Sequence, residues 1–282
     1  TVYRTAGTSI QDYGALDYYN LELAGALSYV PAGNLAVAGS LSITNAGATL
    51  ALGTLNLSVS GPVSNIGAVS LDGSQTVTLA SGNDADSGTW NYTAAAGTPS
   101  IKNFGTVDYF NLTVSGAGTF TAAGDLSVAG AMTISAAAAV VDLGASNLSV
   151  TGVLSNVGTI RLAGSQTVTL SSGNDIDSGT WIYDGAAGGT LYAAAAVDSF
   201  NLTINGTGTF SAPAALAVAG NLTLSSGTLD AAANGVSVAG NFARTLGALT
   251  STGTVTFNGT GAQAFNPTGS TFANITVNKS GG

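Results

Sequence analysis

The sequence predicts an all-β fold: a right-handed parallel β-helix (β-solenoid) with rungs of about 20–22 residues and a super-repeat of 90–91 residues. Three observations predict it. Residues 71–92 (LDGSQTVTLASGNDADSGTWNY) and 162–183 (LAGSQTVTLSSGNDIDSGTWIY) are identical at 18 of 22 positions. The triplets Tyr19-Asn20-Leu21, Phe110-Asn111-Leu112 and Phe200-Asn201-Leu202 stand 91 and then 90 residues apart. Between these landmarks, short pieces closed by glycine recur: LAVAG at 35, LSVSG at 57, LSVAG at 126, LSVTG at 148, LAVAG at 216 and VSVAG at 236, with spacings of 22, 22 and 20.

Taken along the chain, the first landmark is Ser9-Ile10-Gln11-Asp12-Tyr13-Gly14, matched 91 residues later by Ser100-Ile101-Lys102-Asn103-Phe104-Gly105. The super-repeats therefore fall at roughly 1–91, 92–182 and 183–282, with Thr1 already inside a unit. Each glycine-closed piece alternates apolar and small polar residues, Leu-Ser-Val or Leu-Thr-Ile, which sends one set inward and the other outward because strand side chains have period 2. The alanine runs at 136–139 and 193–196 are too short for helices and read as small residues filling tight corners. Near the other end, Phe272-Ala273-Asn274-Ile275-Thr276-Val277 restarts the strand motif before Gly282. The whole, 1–282, reads as one continuous solenoid of about 13 rungs, a rod on the order of 60 Å long cut from a longer array.

Composition narrows the function classes. Only 7% of residues are charged and 40 are glycine, yet 45% are apolar, enough for every rung to bury something. The net charge of −9 and the scatter of Arg4, Lys102, Arg161, Arg244 and Lys279 argue against a nucleic-acid partner, which needs clustered cations. No run of 18 apolar residues predicts membrane insertion, and without cysteine there is no disulfide or thiolate chemistry.

One constellation offers site chemistry. Residues 81–88 (SGNDADSG) and 172–179 (SGNDIDSG) place Asp84 and Asp86, and Asp175 and Asp177, at alternate positions between glycines. Alternating oxygen ligands suit calcium, a hard cation; the competing reading is that these side chains hydrogen-bond backbone at a corner. The EF-hand's distal glutamate and the glycine-rich nonapeptide calcium repeat are both missing. Paired carboxylates could also cleave glycosidic bonds, but histidine is absent and Arg161 replaces Ser70 of the preceding copy, so no base recurs with the acids. The expectation is therefore no enzyme and no certain cofactor, with calcium the one candidate.

The aromatics Tyr19, Phe110, Phe200 and Phe272, with Trp90 and Trp181, read as core or corner packing; the alternative is a row of rings gripping sugars. Asn20, Asn111, Asn201 and Asn274 read as turn or ladder residues whose amides bond at corners or between stacked rungs. Ten Asn-x-Ser/Thr sequons, including Asn56, Asn147, Asn205 and Asn221, follow largely from the strand motif itself.

Blocks such as Phe200-Asn201-Leu202-Thr203-Ile204-Asn205-Gly206, Leu216-Ala217-Val218-Ala219-Gly220-Asn221-Leu222 and Gly227-Thr228-Leu229-Asp230 resemble the repeats of large bacterial surface proteins of the filamentous haemagglutinin and autotransporter-passenger type. The resemblance, one of repeat style over nearly the whole chain, implies an extracellular or cell-surface β-helical shaft or fibre that adheres to surfaces, glycans or its own kind. The expected partner is the chain itself, end to end or laterally, or cell-surface glycans. A carbohydrate-binding or carbohydrate-cleaving β-helix is the alternative. An ice-binding face is disfavoured because the threonines form no regular Thr-x-Thr array.

Overall fold

The computed structural model describes residues 2–3, 8–194 and 197–280; Thr1, Arg4, Ala195, Ala196 and Gly282 lie outside them. The described residues contain strands, bridges and turns and no helix. Among the described residues the strand pairings whose register is fixed are parallel and join segments about one rung apart, which makes the fold a parallel β-solenoid, as expected from the repeats. Contacts divide the chain into two compact units, Thr1–Ala139 with Ser149–Val153, and Val140–Leu148 with Leu154–Gly282.

In the first unit parallel sheets form the faces of the solenoid, and three of them fix its geometry. One runs Val2–Tyr3, Leu21–Leu23, Leu41–Ile43 and Val63–Asn65. The second begins Ser9–Ile10, Ser28–Pro31 and Thr49–Gly53 and goes on through Ala68–Leu71, Thr89–Tyr92, Asn111–Val114 and Met132–Ile134. The third runs Leu35–Val37, Leu57–Val59 and Val77–Leu79. Register confirms the rung length: Leu21 stacks on Leu41, Val69 on Trp90 and Trp90 on Leu112, steps of 20, 21 and 22 residues.

One consequence of these lengths is visible in the sheets. Asn111–Val114 is the repeat counterpart of Leu21–Leu23, yet it joins the second sheet rather than the first. Ninety residues at about 21 per turn make roughly 4⅓ turns, so the repeat advances by one of three faces.

The second unit follows the same rules. Thr159–Leu162, Thr180–Tyr183, Asn201–Ile204, Leu222–Leu224 and Phe242–Arg244 stack in one sheet. The ten-residue strand Ala248–Phe257 turns a corner: its first half pairs with Thr228–Ala232 and its second with Val236–Val238. Thr271–Val277 pairs with Ala248–Phe257 and, among the described residues, with no other strand.

Alternation within strands places the core. Leu21 and Leu23, Leu41 and Ile43, Leu112 and Val114, and Leu222 and Leu224 point inward and are buried, while the residue between each pair is only partly covered. The large rings Trp90, Tyr29, Tyr92, Tyr109, Phe120, Phe210 and Phe242 fill the interior. Each fully buried side chain of this size contributes about 1.5–3 kcal/mol relative to exposure. The alanines at 136–139 form a turn closed by Ala139 N–H to Ala136 O, the corner role expected of them.

Candidate functional site

The recurrent polar residues are spent on the backbone of neighbouring rungs, by four devices. In the first, the Asp84 Oδ2 accepts the Asn65 N–H at 2.6 Å, nineteen residues back, while Oδ1 accepts the Asp86 N–H at 3.1 Å and the Ser87 hydroxyl donates to Oδ2 at 3.1 Å. Asp175 repeats this with Asn156 N–H at 2.6 Å, Asp177 N–H at 3.2 Å and Ser178 at 3.3 Å. Asn65 ends the last strand of the first unit's first sheet, so Asp84 supplies the acceptor that a further strand's carbonyl would supply. Gly88 lets the loop close on that strand: it has φ +70°, and a Cβ there would lie 2.1 Å from Asn65 O.

Burial opposes ionisation of Asp84, but the Asn65 N–H, the Asp86 carboxyl and N–H and the Ser87 hydroxyl outweigh it and hold the carboxyl below its ordinary value of 3.8. Asp175 is held down in the same way. Hydrogen bonding and repulsion from Asp84 push exposed Asp86 the other way. Each loop thus brings two carboxylates together, and among the described residues no three His, Cys, Asp or Glu side chains gather as a metal would require. Calcium at Asp84 and Asp86, or at Asp175 and Asp177, would have to complete its six to eight ligands from backbone carbonyls and water.

The second device was missed in the sequence. Asp17, Asp108 and Asp198, each three residues before the repeated asparagine, are buried. Oδ2 accepts a backbone N–H nineteen residues ahead, from Ala36 at 2.7 Å, Ser127 at 2.8 Å and Ala217 at 2.6 Å. Oδ1 accepts one four residues back, from Tyr13, Phe104 and Ala194. Burial pushes the Asp108 and Asp198 carboxyls above their ordinary value, against the pull of these N–H groups.

Asparagine ladders are the third device, and here Asn20, Asn111 and Asn201 do what was expected. Their Oδ1 atoms accept the N–H of Ser40, Ala131 and Asn221 at 2.8, 2.8 and 2.9 Å. Asn221 passes the pattern to Asn241, and Asn241 to Ala264, at 2.8 Å each. Asn274 lies in the exposed strand Thr271–Val277.

In the fourth, Gln75 Oε1 accepts Gly73 N–H at 2.9 Å while its Nε2 donates to Gly53 O of the rung before at 3.1 Å. Gln166 does the same with Gly164 and Gly144. Gln263 does it with Gly259 N–H at 3.2 Å and Gly240 O at 2.6 Å, a third copy hidden by a two-residue insertion in its turn.

The aromatics divide. Trp90 and Trp181 are 1% and 2% exposed and cannot grip a sugar from solution, whereas Tyr19, 75% exposed, is not core. Trp90 Nε1 donates to Asn83 Oδ1 at 3.1 Å and the ring sits among Phe104 and Tyr109, at 5.0 and 6.1 Å. The described basic side chains are engaged within the chain: Lys102 Nζ donates to Gly73 O, Arg161 pairs with Asp142 at 3.2 Å and Asp184 at 3.6 Å, and Arg244 and Lys279 bond the Gly247 and Gly261 carbonyls. No protein-family model, curated protein or solved structure matches the chain.

Proposed function

We propose that this chain is a noncatalytic structural segment: the β-solenoid shaft, or self-assembling fibre, of a bacterial cell-surface adhesin acting outside the cell. One observation carries the reading. The carboxylates Asp17, Asp84, Asp108, Asp175 and Asp198 and the bridging glutamines direct their oxygens at backbone N–H groups of their own or an adjoining rung. Such bonds lock rung to rung, each adding about 0.5–1.5 kcal/mol, or about 1.5–3 where a carboxylate accepts. The product is stiffness along the stacking direction, which is a shaft's function. The repeat style of the surface-protein family supports the same reading.

Self-association is the fibre form of this reading: strands of one kind stack on one another in parallel through the described residues, and the same stacking between copies would build a filament. Electron microscopy of the purified chain at two concentrations, with and without a calcium chelator, tests the proposal. Filaments that lengthen with concentration support the fibre, and short uniform rods at every concentration support the shaft. Polysaccharide turnover that is lost on substituting Asp84 and Asp86 would overturn the noncatalytic reading.

A further inference from the structure

Both units contain the same cleft, lined with different chemistry. In the first unit it lies between residues 72–74 and 94–102 and encloses about 410 Å³. In the second it lies between residues 164–168 and 189–193, against Pro213, and encloses about 520 Å³. Both fall in the range of about 300–1,000 Å³ typical of small-ligand sites. The same pair of contacts supports both: a glycine whose N–H is held by the bridging glutamine, and a tyrosine hydroxyl that accepts a backbone N–H, from Lys102 at 2.9 Å in one and from Tyr192 at 2.8 Å in the other.

The walls differ at the positions that face a ligand. The first cleft carries Asp72 and Lys102, whose Nζ reaches across to Gly73 O at 2.9 Å. In the second, Ala163 and Tyr192 stand at those positions, and among the described residues no charged side chain lines the cleft. What remains is neutral: the hydroxyls of Ser165, Thr167, Thr190 and Tyr183, the Gln166 amide and the half-buried ring of Tyr192. That ring is fixed by stacking on buried Trp181, centroids 5.8 Å apart and planes 15° apart. The stack exists because Phe104 and Tyr109, which pack on Trp90 in the first unit, are replaced here by Ala194 and Ser199. Tyr192 moves into the vacated volume, leaving a void of about 10 Å³ beside it.

We propose that the cleft of the second unit binds a neutral, polyhydroxylated ring, a hexopyranose unit of a glycan, with Tyr192 as its stacking face and Ser165, Thr167 and Thr190 as hydroxyl partners. A charged ligand would find no counter-ion there, and a wholly apolar one would bury the hydroxyls unpaired. A sugar ring satisfies both surfaces, with its C–H face on the aromatic ring and its hydroxyls on the rim. The anchoring of Tyr192 on Trp181 lowers the ordering cost of binding. The site is independent of whether the chain is shaft or fibre.

The test is a saturation-transfer and ¹⁵N-amide NMR titration of the intact chain with neutral oligosaccharides built from glucose, galactose, mannose and N-acetylglucosamine. The expected result is saturable binding to at least one of them, with shifts at the Thr190 and Tyr192 amides. Tyr192→Ala should weaken it about tenfold or more and Tyr192→Phe about threefold at most. Ser165→Arg, at an exposed rim position, should block it without unfolding the rung, and Lys102→Ala in the first unit should leave it unchanged. Absence of saturable binding by every sugar up to about 20 mM overturns the proposal. So does binding that survives both Tyr192→Ala and Ser165→Arg, or a preference for uronate or sulfated sugars.

Discussion

Replacing Asp108 by alanine should be among the most damaging single changes in the first unit. Its carboxylate, 0% exposed, accepts the N–H of Phe104 at 2.7 Å, Gly105 at 3.3 Å and Ser127 at 2.8 Å. Truncation strands three backbone donors at about 1–3 kcal/mol each, so the loss could reach about 9 kcal/mol. Removing a buried carboxylate also relieves its desolvation, which offsets several kcal/mol, and the net expectation is a destabilisation of about 3–5 kcal/mol. Asparagine in its place should recover little, because its NH₂ would face an N–H donor. The assay is guanidinium unfolding in a Trp181→Phe background, where Trp90, 6.1 Å from the ring of Tyr109, reports on the altered rung. Solenoids can unfold segment by segment, so amide exchange at Ser127 should be followed alongside. A loss below about 1 kcal/mol, or unchanged protection of Ser127, would refute the view that these aspartates tie the rungs together.

Other outcomes follow from the same geometry. Gly88→Ala places a Cβ 2.1 Å from Asn65 O at φ +70°, and should cost about 3 kcal/mol or more in thermal or chemical denaturation. Gln75→Ala strands the Gly73 N–H, while the Gly53 carbonyl keeps the Asp72 N–H, and should cost about 1–2 kcal/mol in the same denaturation assay. Asp84 and Asp175 are held below 3.8, so the stability they contribute is present above that pH and is lost as pH falls through their folded values; Tm measured against pH should fall less on the acid side in the Asp84→Asn, Asp175→Asn double variant. Asp108 and Asp198, raised by burial, have the opposite sign: their contribution is complete below 3.8 and declines as pH rises through their folded values. The calcium reading of the loops predicts a rise in Tm at millimolar calcium that Asp86→Asn abolishes, and an unchanged Tm would leave Asp84 and Asp175 as backbone caps alone.

The rung was legible because its signal is local. Leu35-Ala36-Val37 and Leu57-Ser58-Val59 show in three residues which side chains go inward, and their spacing of 22 is the register in which they stack. Asn20, Asn111 and Asn201 were legible for the same reason, since a repeated amide at a strand start has a repeated partner one rung on. Asp17, Asp108 and Asp198 recur just as faithfully, but a lone carboxylate two residues before an aromatic reads as an ordinary solvent-facing acid until Ala36, Ser127 and Ala217 are seen to donate to it. Gln263 escaped because its turn is two residues longer than that of Gln75. The unit 2 cleft escaped because what defines it is loss: with Phe104 and Tyr109 replaced by Ala194 and Ser199, the decisive ring is Tyr192, at a position where the first copy has lysine.

The length of the super-repeat itself bears on function. A repeat of 84 or 88 residues would make four whole turns at about 21 or 22 residues each, and would return every strand to its own sheet. The observed repeat does not: Asn111–Val114 stacks on Thr89–Tyr92, in the sheet after the one that holds Leu21–Leu23. The Asp84 loop fits this advance, since it caps Asn65 where the first sheet stops while the second sheet runs on through Thr89–Tyr92. Along a longer array, any surface feature encoded once per super-repeat would therefore appear on successive faces rather than in a single line. A deletion of seven residues within one super-repeat, about one face's worth, is expected to move every later strand back by one sheet. A cross-link between engineered cysteines at positions 91 and 113, register partners in adjoining strands of the native chain, would report it: the native form should cross-link, a seven-residue deletion between them should abolish the bond, and a bond that persists in the shortened chain would contradict the one-face advance.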